Sequence, residues 1–513
     1  MRRLAAPRLA APRLTVTPRV AVPGAVLLAL VLVFVAAWVT RPGPARVTVP
    51  GGQHTAVTSI TRSCPPAAPG GKAPHVSMIA LPAARSGTAG SGTAAAQPAA
   101  TTPTGAATFN GILAASTSAA TAQTTRTKPV TVTAPGMVTS VTVPGGGGAE
   151  VAAKGQMAEG FEAEQTDASG AGVVSCTHPG SDMWFVGTGL ADGASQVWLY
   201  LMNAGNLTAS ADITILTDTG QQNGLNSAIS IAPNQYVAEN VTPYVQGSQA
   251  IALRVQANTG QVAASVWEGG SGGGSWLPQA NAPAESLVIP GLTVASSAAR
   301  LFVVVPGSGD AQLKVVAYTP AGTAQQFPGT PVDASAGAVT PLALSSLGAS
   351  AAGLKLTSSV PIVAGVLVPG TGIGSFTTAV SPVTEQGVVA ANPADKGITV
   401  GLLLTAPSAA ARASISVISA DGTVTTPAGD QNVTVAAGHT LAVAVPRPAG
   451  GGRQPFAIVV TPQPGTGPLY AVRVVTSGAG GLSAPLSSLL PVSSAMTSIT
   501  LPPTQDNYTE VLP

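Results

Sequence analysis

Charge is scarce in this sequence. Only 8% of its 513 residues are Asp, Glu, Lys or Arg, against about 25% in an ordinary domain. Aromatic residues make up 4%, and there are four histidines and two cysteines. A nucleic-acid partner needs clustered Lys and Arg, and none is expected here. Exposed helices favour Glu and Lys, so a mainly helical surface is disfavoured as well. The histidines (His54, His75, His178 and His439) are scattered, without the spacing of a metal site, so neither a metal nor a cofactor is expected. Asp192-Gly193 and Asp421-Gly422 read as turns, because a calcium loop needs several more oxygen ligands close by.

What is present begins with one uninterrupted apolar run. Residues 20–39 read VAVPGAVLLALVLVFVAAWV and carry no charge. As a helix rising about 1.5 Å per residue, the run spans roughly the 30 Å of a bilayer core. Arg2, Arg3, Arg8, Arg13 and Arg19 precede it, which predicts a single-pass membrane anchor with residues 1–19 in the cytoplasm and residues 40–513 outside. A cleaved signal peptide is the competing reading. Its apolar region is usually about 7–15 residues and ends in a small-x-small site, for which Ala36-Ala37-Trp38-Val39 is a poor match. Seven arginines lie within the first 46 residues. With these set aside, residues 47–513 hold 15 basic and 20 acidic side chains, so the net charge of +2 becomes −5.

Beyond the anchor the chain reads as all-β. Residues 40–150 form a linker and a low-complexity region rich in Ala, Gly, Thr and Pro, with a few short apolar pieces at 75–81, 109–114 and 129–133. These are either strands of an N-terminal sandwich or edge strands of the next module. From 151 to 272, runs such as QVWLYLMN (196–203), ADITILT (211–217) and AIALRVQ (250–256) alternate apolar and polar residues with period two, separated by turn residues. Seven such strands suggest an immunoglobulin-like sandwich. The phrase returns over 283–382 and again over 383–480. The closing strands LRVQANTGQVAASVWE, LKLTSSVPIVAGVLV and IVVTPQPGTGPLYAVRVVT correspond. A spacing of about 100 residues fits one sandwich per round and is too long for a solenoid, so the expectation is beads in tandem. Residues 481–513 read as a Ser/Pro-rich tail.

Candidate chemistry is sparse. Cys176, His178 and Asp182 crowd together, but a Cys–His nucleophile needs an available thiolate and an oriented base. Outside the cytoplasm Cys64 and Cys176 either pair or remain buried thiols. A bridge would close a loop of about 110 residues, worth roughly 4–5 kcal/mol in the chain-entropy model. Glu159, Glu162, Glu164 and Asp167 make the only acidic cluster. They read as a solvated face, since a glycosidase pair must be held apart across a cleft. No catalytic residue is assigned and the chain is not expected to be an enzyme. Trp184, Trp198, Tyr200 and Trp267 concentrate the aromatic content in the first repeated module. They are either core residues or a stacking platform for sugar rings.

The run GQMAEGFEAEQTDASGAGVVSCTHPGSDMWFVGTG (155–189), with SCPP at Ser63–Pro66, resembles an actinobacterial family of membrane-anchored extracytoplasmic proteins of unknown function. The arginine-rich head, single anchor and β repeats are similar too. The resemblance implies a cell-envelope location and Cys64 and Cys176 as a bridged pair, and it brings no catalytic residues. The expectation is a non-catalytic, membrane-anchored envelope protein that scaffolds or binds other envelope proteins. The alternative is a carbohydrate-recognition protein that takes cell-wall polysaccharide on its Trp-rich module.

Overall fold

A computed structural model describes residues 53–81, 106–114, 130–167 and 172–501, less short breaks at 133, 144, 146, 226–227, 271, 294–298, 323, 327–330, 345–350, 371, 450–451, 479 and 484. The expected head (1–19) and anchor (20–39) lie outside the described residues. Among the described residues the regular structure is β-strand with a few 3-10 turns, and no helix is long and apolar enough to cross a membrane. Thr55–Ile499 is one compact unit.

The strands follow one plan, repeated. In the round from Asp182 to Leu277 the first sheet runs Asp182–Thr188, Ala250–Thr259, Ala209–Thr217, Gly220–Gln222, with Ile229–Ile231 also paired to Ala209–Thr217. The second sheet contains Gly273–Leu277, Ala263–Gly270, Ala194–Asn203 and Gln235–Asn240 in that order. Counted along the chain, the orders are first–seventh–third–fourth, with the fifth on the third, and ninth–eighth–second–sixth. All pairings within the round are antiparallel.

The round from Gly387 to Val492 has the same two orders. So does the round from Ala284 to Thr378, in which the seventh and eighth strands are fused into the 18-residue Ala351–Val368. Its Leu354–Ser358 part pairs in one sheet and its Val363–Leu367 part in the other. Pro361, which has no N–H to give a ladder, falls in the crossing between them.

A fourth copy lies upstream, where the sequence reads as linker. Ser59–Cys64, Gly148–Lys154, Ala106–Ala114 and Val130–Val132 reproduce the first order; Val173–Ser175, Glu162–Thr166, His75–Ile79 and Thr139–Thr142 reproduce the second. Among the described residues it has no fifth strand. The strands from 151 to 166, expected to open the module at 151–272, therefore pair with strands upstream of residue 115. The Ala- and Thr-rich strands had little apolar contrast from which to read this. We number the rounds first to fourth from here.

The rounds close on themselves. The ninth strand of each touches the ninth strand of the next: Val173–Ser175, Gly273–Leu277, Ser375–Thr378, Leu486–Val492, and back to Val173–Ser175. Leu489 N–H donates to Ser375 Oγ across one such contact (2.7 Å). Neighbouring rounds also share apolar cores. Phe185 and Leu253 of the second round cluster with Phe302 and Phe376 of the third. Leu301 and Leu354 of the third cluster with Leu403 and Val474 of the fourth. Ile79 and Leu81 of the first meet Val388 and Val459 of the fourth. First and second rounds are joined by a parallel pairing of Gln235–Tyr236 with Leu113–Ala114. The expectation of beads on a string is thus corrected to a closed ring of four. Each round leaves apolar surface that only its neighbours cover, which a single module cannot bury alone. The tail read at 481–513 contributes the Leu486–Val492 strand. Beyond it Met496 C=O accepts from Gly160 N–H (3.1 Å), and Thr497 C=O from Val57 N–H (3.1 Å), closing the seam between last and first rounds.

Candidate functional site

Where the ninth strands converge, residues of the first, second and fourth rounds, with Val380 from the segment after the third, line a cavity of about 300 Å³. The first round lines it with Arg62, Glu162, Glu164 and His178, the second with Trp276 and Gln279. Glu162 and Glu164 come from the sequence's one acidic cluster, of which Glu159 is half-buried and Asp167 exposed. The expectation of a solvated face is corrected for Glu162 and Glu164, which ring closure covers. Arg62 Nη2 donates to Glu162 Oε1 (2.5 Å). Burial raises the Glu162 pKa and Arg62 opposes it.

Glu164 is only 3% exposed. Its oxygens accept the backbone N–H groups of Ala390 (3.0 Å) and Ala391 (2.9 Å), 226 and 227 residues away. Burial raises its pKa to about 7, against the charge of Arg473 and these two hydrogen bonds. Arg473, 1% exposed, donates to Ala391 C=O (3.2 Å) and to Ser488 Oγ (2.9 Å). Its pKa falls to about 10, chiefly through burial. The Ala391 peptide therefore bridges a carboxyl of the first round and a guanidinium of the fourth. Glu162 and Glu164 sit two residues apart on one strand, and each is tied to its own structural partner.

Another buried carboxyl, Glu268, is 0% exposed. Thr188 N–H donates to its Oε2 (3.3 Å). Burial pushes its pKa well above the ordinary carboxylate value, against the Thr188 N–H hydrogen bond. A Cβ on Gly187 would lie 2.1 Å from Glu268 Oε1 and 2.6 Å from Leu277 Cδ2, which is why glycine stands there. Arg473 and Glu268 escaped the sequence reading. Each interrupts an apolar strand (YAVRVVT, ASVWEG), and that interruption was the available signal.

The structure joins Cys64 to Cys176 by a disulfide, with Cα atoms 4.3 Å apart. No thiolate is then left for Cys176 to offer. His178 Nδ1 lies 2.7 Å from the Pro179 carbonyl, and Asp182 receives two hydrogen bonds from Arg254 (2.9 and 2.8 Å). The three residues form no relay. Among the described residues no group of His, Cys, Asp and Glu is placed to hold a metal ion.

The four aromatic candidates divide. Trp184 is 2% exposed in the first sheet of the second round, inside the core, with the Arg254 guanidinium 5.2 Å above its ring. The other three stand together on the second sheet. Trp198 and Trp267 are cross-strand partners, and Trp267 pairs in turn with Trp276. Tyr200 is buried beside them, its ring 5.7 Å from Trp276 and 6.4 Å from Tyr236. Trp198 and Trp267 are half-buried. A Cβ on Gly269 would lie 2.4 Å from Trp267 Cη2, and one on Gly274 2.1 Å from its Cζ2. The Trp267 indole therefore lies against bare backbone of its own strand and the next.

No curated protein matches the chain at a significant level. Residues 147–446, more than half of the chain, match the family described as "Family of unknown function (DUF5719)". The match runs from the seventh strand of the first round into the fourth round. By this match the chain belongs to that family of unknown function, DUF5719.

Proposed function

We propose that this protein is a non-catalytic component of the cell envelope. Residues 20–39 anchor it, residues 1–19 stay in the cytoplasm, and a ring of four immunoglobulin-like sandwiches scaffolds envelope proteins outside. The observation that carries this reading is the Cys64–Cys176 bridge, because disulfides persist in oxidising, extracytoplasmic compartments and are rare in the reducing cytosol. The non-catalytic role is supported by the way the polar residues are used. Arg62, Glu162, Glu164, Asp182, Arg254 and Arg473 are committed to bonds within and between rounds, and Cys176 is held in the bridge.

Alkaline phosphatase fused after Pro513 should be active, and a green fluorescent protein fused there should stay dark. A fluorescent, cytosolic fusion with an inactive phosphatase would overturn the topology. Crosslinking on intact cells followed by membrane extraction should recover a stable protein partner with the chain.

A further inference from the structure

We propose that the tryptophan row on the second round is a binding site for neutral hexose polysaccharide. Asn240, Trp198, Trp267 and Trp276 stand opposite one another on four adjacent strands. Adjacent strands are about 4.8 Å apart, so successive indoles step across the sheet by about that distance. Trp267 is seated on Gly269 and Gly274, so it turns its outer surface toward solvent. Trp198 Nε1 donates to Gln196 Oε1 (3.2 Å), and Gln196 and Asn240 are exposed at the margin. Tyr200 and Trp276 are buried and pack with the pair, together with Val174 of the first round.

Alternation along the four strands puts Gln196, Tyr200, Ser265 and Ala238 on this same face and sends Glu239 and Glu268 to the other. Among the described residues these four strands thus put no acidic or basic side chain on this face, and Arg62, Glu162 and Glu164 enter only at the cavity beyond Trp276. A charged ligand would lose water here without gaining a counter-ion. A pyranose fits both properties: one side is a sheet of C–H groups that lies on an indole, and its rim of hydroxyls is uncharged and pairs with amides. The row also has a direction, because Trp276 lines the central cavity as well. A chain of sugars would run from the Gln196–Asn240 margin toward the centre of the ring. The inference does not use the anchor and stands or falls separately from the topology above.

An indole on glycine can also simply cover a bare stretch of sheet, and the experiment separates the two roles. The full chain, in a sugar-free detergent, is titrated with cellohexaose, maltohexaose and α-1,6-mannohexaose while tryptophan fluorescence is followed. A saturable change with at least one hexasaccharide is expected. Trp267→Ala should abolish it, and Trp198→Ala should weaken it at least tenfold. Gln196→Ala, an exposed change that leaves the fold alone, should weaken it several-fold with an unaltered melting curve. Trp184→Phe should leave the affinity unchanged. The proposal is overturned if none of the sugars gives a saturable change, or if the change survives in Trp267→Ala. A fluorescence shift that tracks protein concentration without sugar would assign the row to a second copy of the chain, and would overturn it as well.

Discussion

Burial raises the pKa of Glu164 and of Glu268 above the values these carboxyls have in the unfolded chain. A pKa raised on folding contributes stability that is fully present below the unfolded value and is lost as pH rises through the folded one. For Glu164 the window runs from 4.5 to about 7, and a shift of that size is worth about 3 kcal/mol. Glu162 and Glu268 act in the same direction. The protein should therefore melt at a higher temperature at pH 5 than at pH 8. Glu164→Gln and Glu268→Gln, which mimic the protonated acid, should each flatten that dependence in a calorimetric pH series. A melting temperature that rises with pH over this range would contradict the assignment. Gly187→Ala should destabilise by about 1–3 kcal/mol in denaturant titration, because its methyl would enter the space of Glu268 and Leu277. Arg473→Met leaves Glu164 without its compensating charge and should cost about 3–5 kcal/mol. Adding Glu164→Gln should recover part of that loss.

At the scale of elements, the disulfide ties the first strand of the first round to the residue after its ninth. Cys64→Ser with Cys176→Ser should lower stability by roughly 4–5 kcal/mol in the chain-entropy model, read as a shifted denaturant midpoint. What was legible in the sequence was also set at this scale. ADITILT alternates because one side of its strand, Ala209–Thr217, is buried and the other half-buried over most of its length, whereas QVWLYLMN and AIALRVQ, largely buried on both sides, stood out as apolar runs. They lie within Ala194–Asn203 and Ala250–Thr259. The return of the same phrase was legible for the same reason. The first round was not. AATFNGILA forms the nine-residue Ala106–Ala114, yet Ala, Gly and Thr carry little periodic contrast, and residues 82–105 separate it from its neighbours. The aromatic platform was half legible. Residue types placed Trp184 among the candidates, but sheet membership, which period alone does not assign, separates it from Trp198 and Trp267.

Ring closure could not be read from local pattern at any length of window. Its evidence is a carboxyl at 164 bonded to peptides at 390 and 391, and apolar residues at 79 and 81 packed on 388 and 459. Because each round shares a core with its neighbours, the four should unfold together. Independent modules would melt in separate steps. Calorimetry of the intact chain is expected to give one cooperative transition for residues 55–499. Deleting residues 486–513 removes the ninth strand of the last round and the seam. It should expose Leu403, Val472 and Val474, bind a hydrophobic dye, and convert the transition into several.

The seam between Val57 and Thr497 has a topological consequence. A peptide N–H near the start of the ring meets a carbonyl near its end at 3.1 Å, so a short loop would suffice to splice the two. The origin of the polypeptide is then arbitrary for the circle it forms. A circular permutant that begins between the third and fourth rounds, near residue 384, and runs across the splice should assemble the same four-part wheel.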